Sequence, residues 1–168
     1  EEAEVLASAG LPADTLTLRY RCPACRDTGF AGDIVKKPCA CRLRMAVRLD
    51  PLQRINSDET FETFSLTVFT DEQQRKRMAN ARAIAEQYAD ALPAPAHPNL
   101  LILGKTGLGK SFLGNAVAYR AVCRGVDASR VTAYALLQDV LSDIRQGTHN
   151  ALHYARVPLL VLDDLGSE

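Results

Sequence analysis

No stretch of the 168-residue chain approaches the roughly 20 consecutive apolar residues of a membrane span, so a transmembrane helix is excluded. The opening "EEAEVLASAG" lacks the basic and apolar regions of a secretory leader, and it does not begin with methionine. No internal repeat is present. His97, His149 and His153 have no ligand-like companions, so no role is read for them. Net charge is also missing, because 20 basic and 20 acidic residues cancel. What remains is a soluble cytoplasmic protein of one ordinary domain or two small ones. Its 47% hydrophobic and 24% charged residues suit a packed globule and not a disordered chain.

The neutral total hides a division. Residues 19–54 carry nine basic residues (Arg19, Arg21, Arg26, Lys36, Lys37, Arg42, Arg44, Arg48 and Arg54) against Asp27, Asp33 and Asp50, so this segment is +6 and the remainder −6. Such a patch is an electrostatic footprint for nucleic acid or an acidic protein surface, or else a solvated basic face. Composition separates an acidic start at 1–18, a Cys- and Arg-rich segment at 19–56, and a nucleotide-binding region at 57–168.

In the last region, "TDEQQRKRMANARAIAEQYADAL" predicts an amphipathic helix. Thr70 and Gln73 stand in capping-box spacing, and Met78, Ala81, Ile84, Ala85 and Tyr88 recur at helical intervals. The prolines of "PAPAHP" end it. "NLLILG" reads as a buried strand. The next helix runs to about Arg124, with Gly125 as a left-handed terminator and Phe112, Leu113, Ala116 and Val117 facing the sheet. A strand at "SRVTAY", a helix at "ALLQDVLSDIRQ" ending at Gly147, and a strand at "PLLVLDD" complete an α/β alternation.

Between the first strand and its helix lies "GKTGLGKS", Gly104, Lys105, Thr106, Gly107, Leu108, Gly109, Lys110 and Ser111, followed by Phe112. The glycines let the backbone turn several N–H groups onto phosphate oxygens at the positive end of the helix. Lys110 reaches the β and γ phosphates of ATP, and Ser111 supplies a hydroxyl to Mg²⁺. At the carboxyl end of "LLVLDD", Asp163 holds the same Mg²⁺ directly or through its waters. Asp164, the next group out, orients and deprotonates the attacking water or, on the blander reading, serves as a cap or ion-pair partner. Phe61 and Phe64 either wall an adenine pocket, stack on a base, or belong to the core.

Four of the five cysteines form "CPACRDTGF" and "PCAC". Two thiol pairs at this spacing, Cys22 with Cys25 and Cys39 with Cys41, suit a structural Zn²⁺ with every position filled by protein. Gly29 sits where a tight turn needs positive φ, and "GDIVKKP" brings the chain back as the other arm. With zinc, the basic segment keeps about +4. The second pair is C-x-C where C-x₂-C is commoner, so a redox or vestigial site is the alternative. Cys123, alone on an apolar helical face, reads as a small core residue.

The ordered set "CPACRDTGF" with "PCAC", "FETFSL", "NLLILGKTGLGKS", "VTAYALLQDVLSDIR" and "LLVLDDLGSE" resembles the DnaC/DnaI-type helicase-loader ATPases of the AAA+ superfamily, with IstB-like transposition helpers as near relatives. The resemblance implies a P-loop sheet flanked by helices behind a zinc module that grips the replicative DNA helicase. It also implies homo-oligomers that touch single-stranded DNA and hydrolyse ATP. Under it Lys110, Ser111, Asp163 and Asp164 form the ATP and Mg²⁺ site, and Cys22, Cys25, Cys39 and Cys41 the zinc ligands. The family continues past the equivalent of Glu168 through a sensor strand and an arginine finger, so a fragment is expected, with negligible hydrolysis by these residues alone. In the family's strand order the strand at 99–103 then loses both neighbours unless it pairs directly with "LLVLDD". The rival functions are a transposition helper and a non-hydrolysing zinc-module adaptor. A small-molecule kinase needs an acceptor pocket and lid that the sequence does not offer.

Overall fold

The computed structural model describes residues 6, 8–12, 14–32, 35–49 and 54–166. Residues 1–5, 7 and 13 of the acidic start, and 33–34 and 50–53 of the cysteine-rich segment, lie outside the described residues. The chain divides into two units, Glu1–Cys39 and Ala40–Glu168. No helix among the described residues is long and apolar enough to cross a membrane.

In the first unit, β1 (Phe30–Ala31) pairs antiparallel with β2 (Lys37–Pro38), Phe30 opposite Pro38 and Ala31 opposite Lys37. The chain enters this hairpin through Gly29 at φ 75°, as the turn reading requires. Gly32 is held at φ 108°, where a Cβ would lie 2.4 Å from the Val35 carbonyl oxygen, so only glycine fits.

The second unit opens with α1 (Ala40–Leu49) and continues through α2 (Glu72–Ala91), α3 (Lys110–Cys123), β3 (Ala128–Thr132), α4 (Ala133–Gln146), α5 (Leu152–Arg156) and β4 (Leu159–Asp163). β3 and β4 pair in parallel, with Ala128 opposite Leu159 and Thr132 opposite Asp163. The α/β class read from the alternation is the one observed.

Several local expectations are corrected. α2 is capped by Asp71, not Thr70, because the Asp71 carboxylate accepts from the N–H groups of Gln73 and Gln74. Its buried stripe is Ala85 and Ala89, flanked by Met78, Ala81 and Tyr88, whereas Ile84 turns to solvent. The strand expected at "SRVTAY" ends at Thr132, whose hydroxyl caps α4 through the Ala135 N–H and so draws Ala133 and Tyr134 into the helix. The short helix α5 has no counterpart in the sequence reading.

The largest departure is at 99–103, which forms no strand ladder. Leu100 and Ile102 pack on the core, while Leu101 and Leu103 are 71% and 81% exposed. No described strand lies beside it to satisfy its backbone, and it does not pair with β4.

The core of this unit centres on α3. Leu113, Ala116, Val117, Ala118, Ala121 and Val122 are buried together with Ala85, Ala89, Phe61 and Phe64. Small residues on both helices let α2 and α3 approach closely, and Arg120 ties their polar edge. It donates to Glu86 at 2.8 Å, Glu62 at 3.0 Å and Asp90 at 3.3 Å, with its guanidinium 5.3 Å from the Phe61 ring centre. Gly125 at φ 84° and Gly147 at φ 66° terminate α3 and α4 as expected.

Candidate functional site

The glycine-rich loop ends on the first turn of α3. Gly107 and Gly109 take φ of 82° and 80°, a backbone that other residues rarely adopt. Gly109 is the N-cap and offers no side-chain acceptor, so the first amides of α3 are left for an anion. Lys105, Thr106 and Gly107 are exposed, as is Gly104, and contribute backbone to the rim. Leu108 and Phe112 turn against the core and anchor the loop from below. Lys110 folds back over the loop, its Nζ donating to the Lys105 carbonyl at 3.0 Å, which holds the ammonium above the amide cradle.

At the other side stands the end of β4. Asp163 is 13% exposed and receives two donors: the Ser111 hydroxyl on Oδ1 at 3.0 Å and the Arg130 guanidinium on Oδ2 at 2.8 Å. Burial pushes the Asp163 carboxyl up, but hydrogen bonds from Arg130 and Ser111 and the Arg130 charge outweigh it and hold the group below its ordinary range. Neighbouring oxygens around an octahedral Mg²⁺ at about 2.1 Å lie about 3.0 Å apart, so the Ser111 and Asp163 oxygens have the spacing this ion requires. Asp164 follows with φ 54°, exposed, its own N–H donating to Asp163 Oδ1 at 3.1 Å. A non-glycine residue held in the left-handed region is backbone strain of order 1–3 kcal/mol, and here it turns Asp164 out of the line of the strand.

A cavity of about 230 Å³ opens beside the loop, lined by Phe64, Val68, Phe69, Gly109 and Phe112 among others. The two phenylalanines of the sequence reading therefore separate. Phe61 is 1% exposed and belongs to the core, whereas Phe64 presents one edge to Gly109 and packs edge-on to Phe112 at 5.3 Å. Asn115, which the sequence reading passed over, holds this wall in place. It is fully buried on α3, accepts from the Asn56 N–H at 2.9 Å, and donates to the Asn56 and Glu59 carbonyls, both at 2.8 Å. A lone amide inside the apolar run "FLGNAVAY" was the available signal.

The sulfur atoms of Cys22, Cys25, Cys39 and Cys41 lie within 4.8 Å of one another, and Cys25 and Cys39 are buried. Cys22 and Cys39 are 3.8 Å apart, the edge of a tetrahedron with Zn–S bonds of about 2.3 Å. No disulfide joins any of the five cysteines. The knuckle is preformed by Asp27, whose carboxylate accepts from the Arg21 and Cys22 N–H groups at 3.0 and 2.8 Å. Thr28 adds a hydroxyl bond to the Cys25 carbonyl at 2.6 Å. The residues fit one structural Zn²⁺. Cys123 is half-buried, and burial pushes its thiol up, away from a reactive thiolate.

A strand end bearing a carboxylate, set against a glycine loop, lysine and serine at a helix start, defines a P-loop ATP-binding domain. The model of the family described as IstB-like ATP binding protein matches residues 39–168, and the chain belongs to that family. It is also 29% identical over 116 residues to the chromosomal replication initiator protein DnaA of Leifsonia xyli subsp. xyli (strain CTCB07). That match covers 67% of this chain and 23% of the relative, so the chain spans about a quarter of that protein's length. No solved structure matches the chain.

Proposed function

We propose that the chain is the Mg-ATP-binding part of a DnaC/DnaI-type helicase loader of DNA replication. The observation that carries the nucleotide site is the meeting of Ser111 and Asp163 beneath the glycine loop, with oxygens at Mg²⁺ ligand spacing. Lys110 and the loop amides bind the phosphates, and the adenine lies against Phe64 and Val68 in the adjacent cavity. Mg²⁺, held by Ser111 and Asp163, supplies charge neutralisation on the phosphates. Asp164, exposed at the strand end, orients the attacking water and accepts its proton.

The replication assignment is supported by the similarity to a protein named as a chromosomal replication initiator, and by a four-cysteine cluster ahead of the ATP site. In this reading the zinc module and its basic segment grip the replicative helicase in the cytoplasm. ATP organises homo-oligomers that contact single-stranded DNA. The family match favours a second reading, an ATPase helper whose partner is a transposase.

Two experiments test this. Lys110→Ala should abolish binding of a fluorescent ATP analogue, and unchanged affinity would sink the nucleotide site. Affinity capture with purified helicase and with transposase, each with and without ATP, separates the partners. A loader should bind helicase with an ATP coupling of about 1–3 kcal/mol, and an adaptor with none.

A further inference from the structure

Arg130 on β3 carries its charge onto Asp163, its partner among the described residues. Its strand neighbours on the same face are Ala128 and Thr132, and the facing position on β4 is Val161, whose methyl group meets α3 at Gly114. The guanidinium is 22% exposed. Its one ion pair among the described residues is with Asp163 Oδ2, and its buried Nε has no partner. A guanidinium presents five donors, so this group is under-satisfied where it sits and has N–H capacity to spare for another acceptor.

The opposite oxygen of Asp163 is held by Ser111. Both oxygens of the carboxylate are thus engaged, one by the hydroxyl that shares its role toward a metal and one by a full positive charge. A divalent cation entering beside Asp163 meets that charge at close range, in a partly buried setting where repulsion is weakly screened.

We propose that Arg130 competes with Mg²⁺ for Asp163 and so sets the Mg²⁺ concentration at which the nucleotide site loads. When the metal enters, the guanidinium gives up Oδ2 and turns to a phosphate oxygen of the incoming nucleotide, which offers the acceptors its free N–H groups lack. No covalent step is involved. The exchange couples metal and nucleotide: Mg²⁺ without nucleotide binds poorly, because Arg130 then has no anion to move to. The inference rests on the Mg-ATP site above and adds a regulatory residue to it.

The test is the Mg²⁺ dependence of binding of a fluorescent ATP analogue to the full chain, for wild type and for Arg130→Gln, Arg130→Met and Arg130→Lys. Removing the charge should lower the half-saturating Mg²⁺ by about tenfold in both the Gln and Met variants. Two uncharged variants guard against one of them failing to fold, and circular dichroism checks each. Arg130→Lys keeps the charge and should stay near wild type. A Gln or Met variant needing as much Mg²⁺ as wild type, or more, overturns the inference and leaves Arg130 as a residue that merely positions Asp163. A wild-type chain that binds no analogue at any Mg²⁺ concentration overturns the nucleotide site itself, a distinct result.

Discussion

The Ser111 hydroxyl donates to Asp163 Oδ1 across 3.0 Å, joining the first turn of α3 to the end of β4 although the two residues are far apart in the chain. This bond sets two oxygens at the spacing of neighbouring Mg²⁺ ligands. Ser111→Ala should therefore leave the fold intact, since the side chain is only half-buried, while removing most of the Mg²⁺-dependent gain in ATP affinity. Titration of the analogue with and without Mg²⁺ reads this directly. A variant whose Mg²⁺ effect equals that of wild type would remove Ser111 from the metal site.

Asn115 makes three hydrogen bonds from a position of zero exposure, and all three go to backbone of the segment that leads to the Phe64 wall. Asn115→Ala removes the partner of one N–H and two carbonyls at Asn56 and Glu59, and should cost on the order of 1–3 kcal/mol. Urea unfolding should show a lower midpoint. The cavity beside Gly109 should also loosen, so ATP-analogue affinity should fall even below the unfolding transition. An unchanged midpoint would mean the segment finds other partners.

These cases mark what the sequence could tell. The phosphate loop was legible because its chemistry is local: glycines at positive φ, a lysine and a serine all lie within one turn of each other. The α/β class and the strands that became β3 and β4 were legible from the alternation, whereas the pairing of β3 with β4 depends on contacts far apart in the chain. The segment at 99–103 was not, because an apolar run becomes a strand only when a neighbour satisfies its backbone, and none is present among the described residues. Arg130 was read as one residue of a strand, since its meaning depends on Asp163 lying diagonally across the ladder. Thr70 and Asp71 are adjacent cap formers, and spacing alone does not choose between them.

Asp143 carries a pH dependence. The Thr148 hydroxyl at 2.6 Å, with the Ala151 N–H at 2.6 Å, holds its carboxyl below the ordinary carboxylate range. A depressed folded-state value stabilises the fold above the unfolded value, about 3.9, and that stability is lost as pH falls through the folded value. Melting temperatures should therefore drop more steeply below about pH 4 in wild type than in Asp143→Asn, which has no charge to lose. Parallel curves for the two proteins would show that the loop before α5 does not depend on the ionised form.

The cysteine cluster gives the prediction with the largest expected effect. Among the described residues of Glu1–Cys39 the buried apolar side chains are Leu6, Cys25 and Cys39, so this unit has little hydrophobic core, and metals commonly supply what is missing. The Cys22 and Cys39 sulfurs already stand at tetrahedral spacing, and the knuckle is closed by Asp27, so Zn²⁺ binding and local folding should be one event. Purified under reducing conditions, the chain should carry about one zinc, because four thiolates fill one tetrahedral ion. Chelation should then strip hydrogen-exchange protection from the amides of Cys22, Thr28 and Cys39, whose bonds define the knuckle and hairpin. Cys22→Ser removes the sulfur that stands 3.8 Å from that of Cys39 and should lower zinc affinity sharply, while the Asp27 clamp on its backbone N–H persists. Cys41→Ser, at the C-x-C pair on the first turn of α1, leaves three thiolates and should weaken binding without abolishing it. Equal protection with and without chelator, in a chain that carries no zinc, would mean that hydrogen bonds alone hold the knuckle and that the thiols are not ligands.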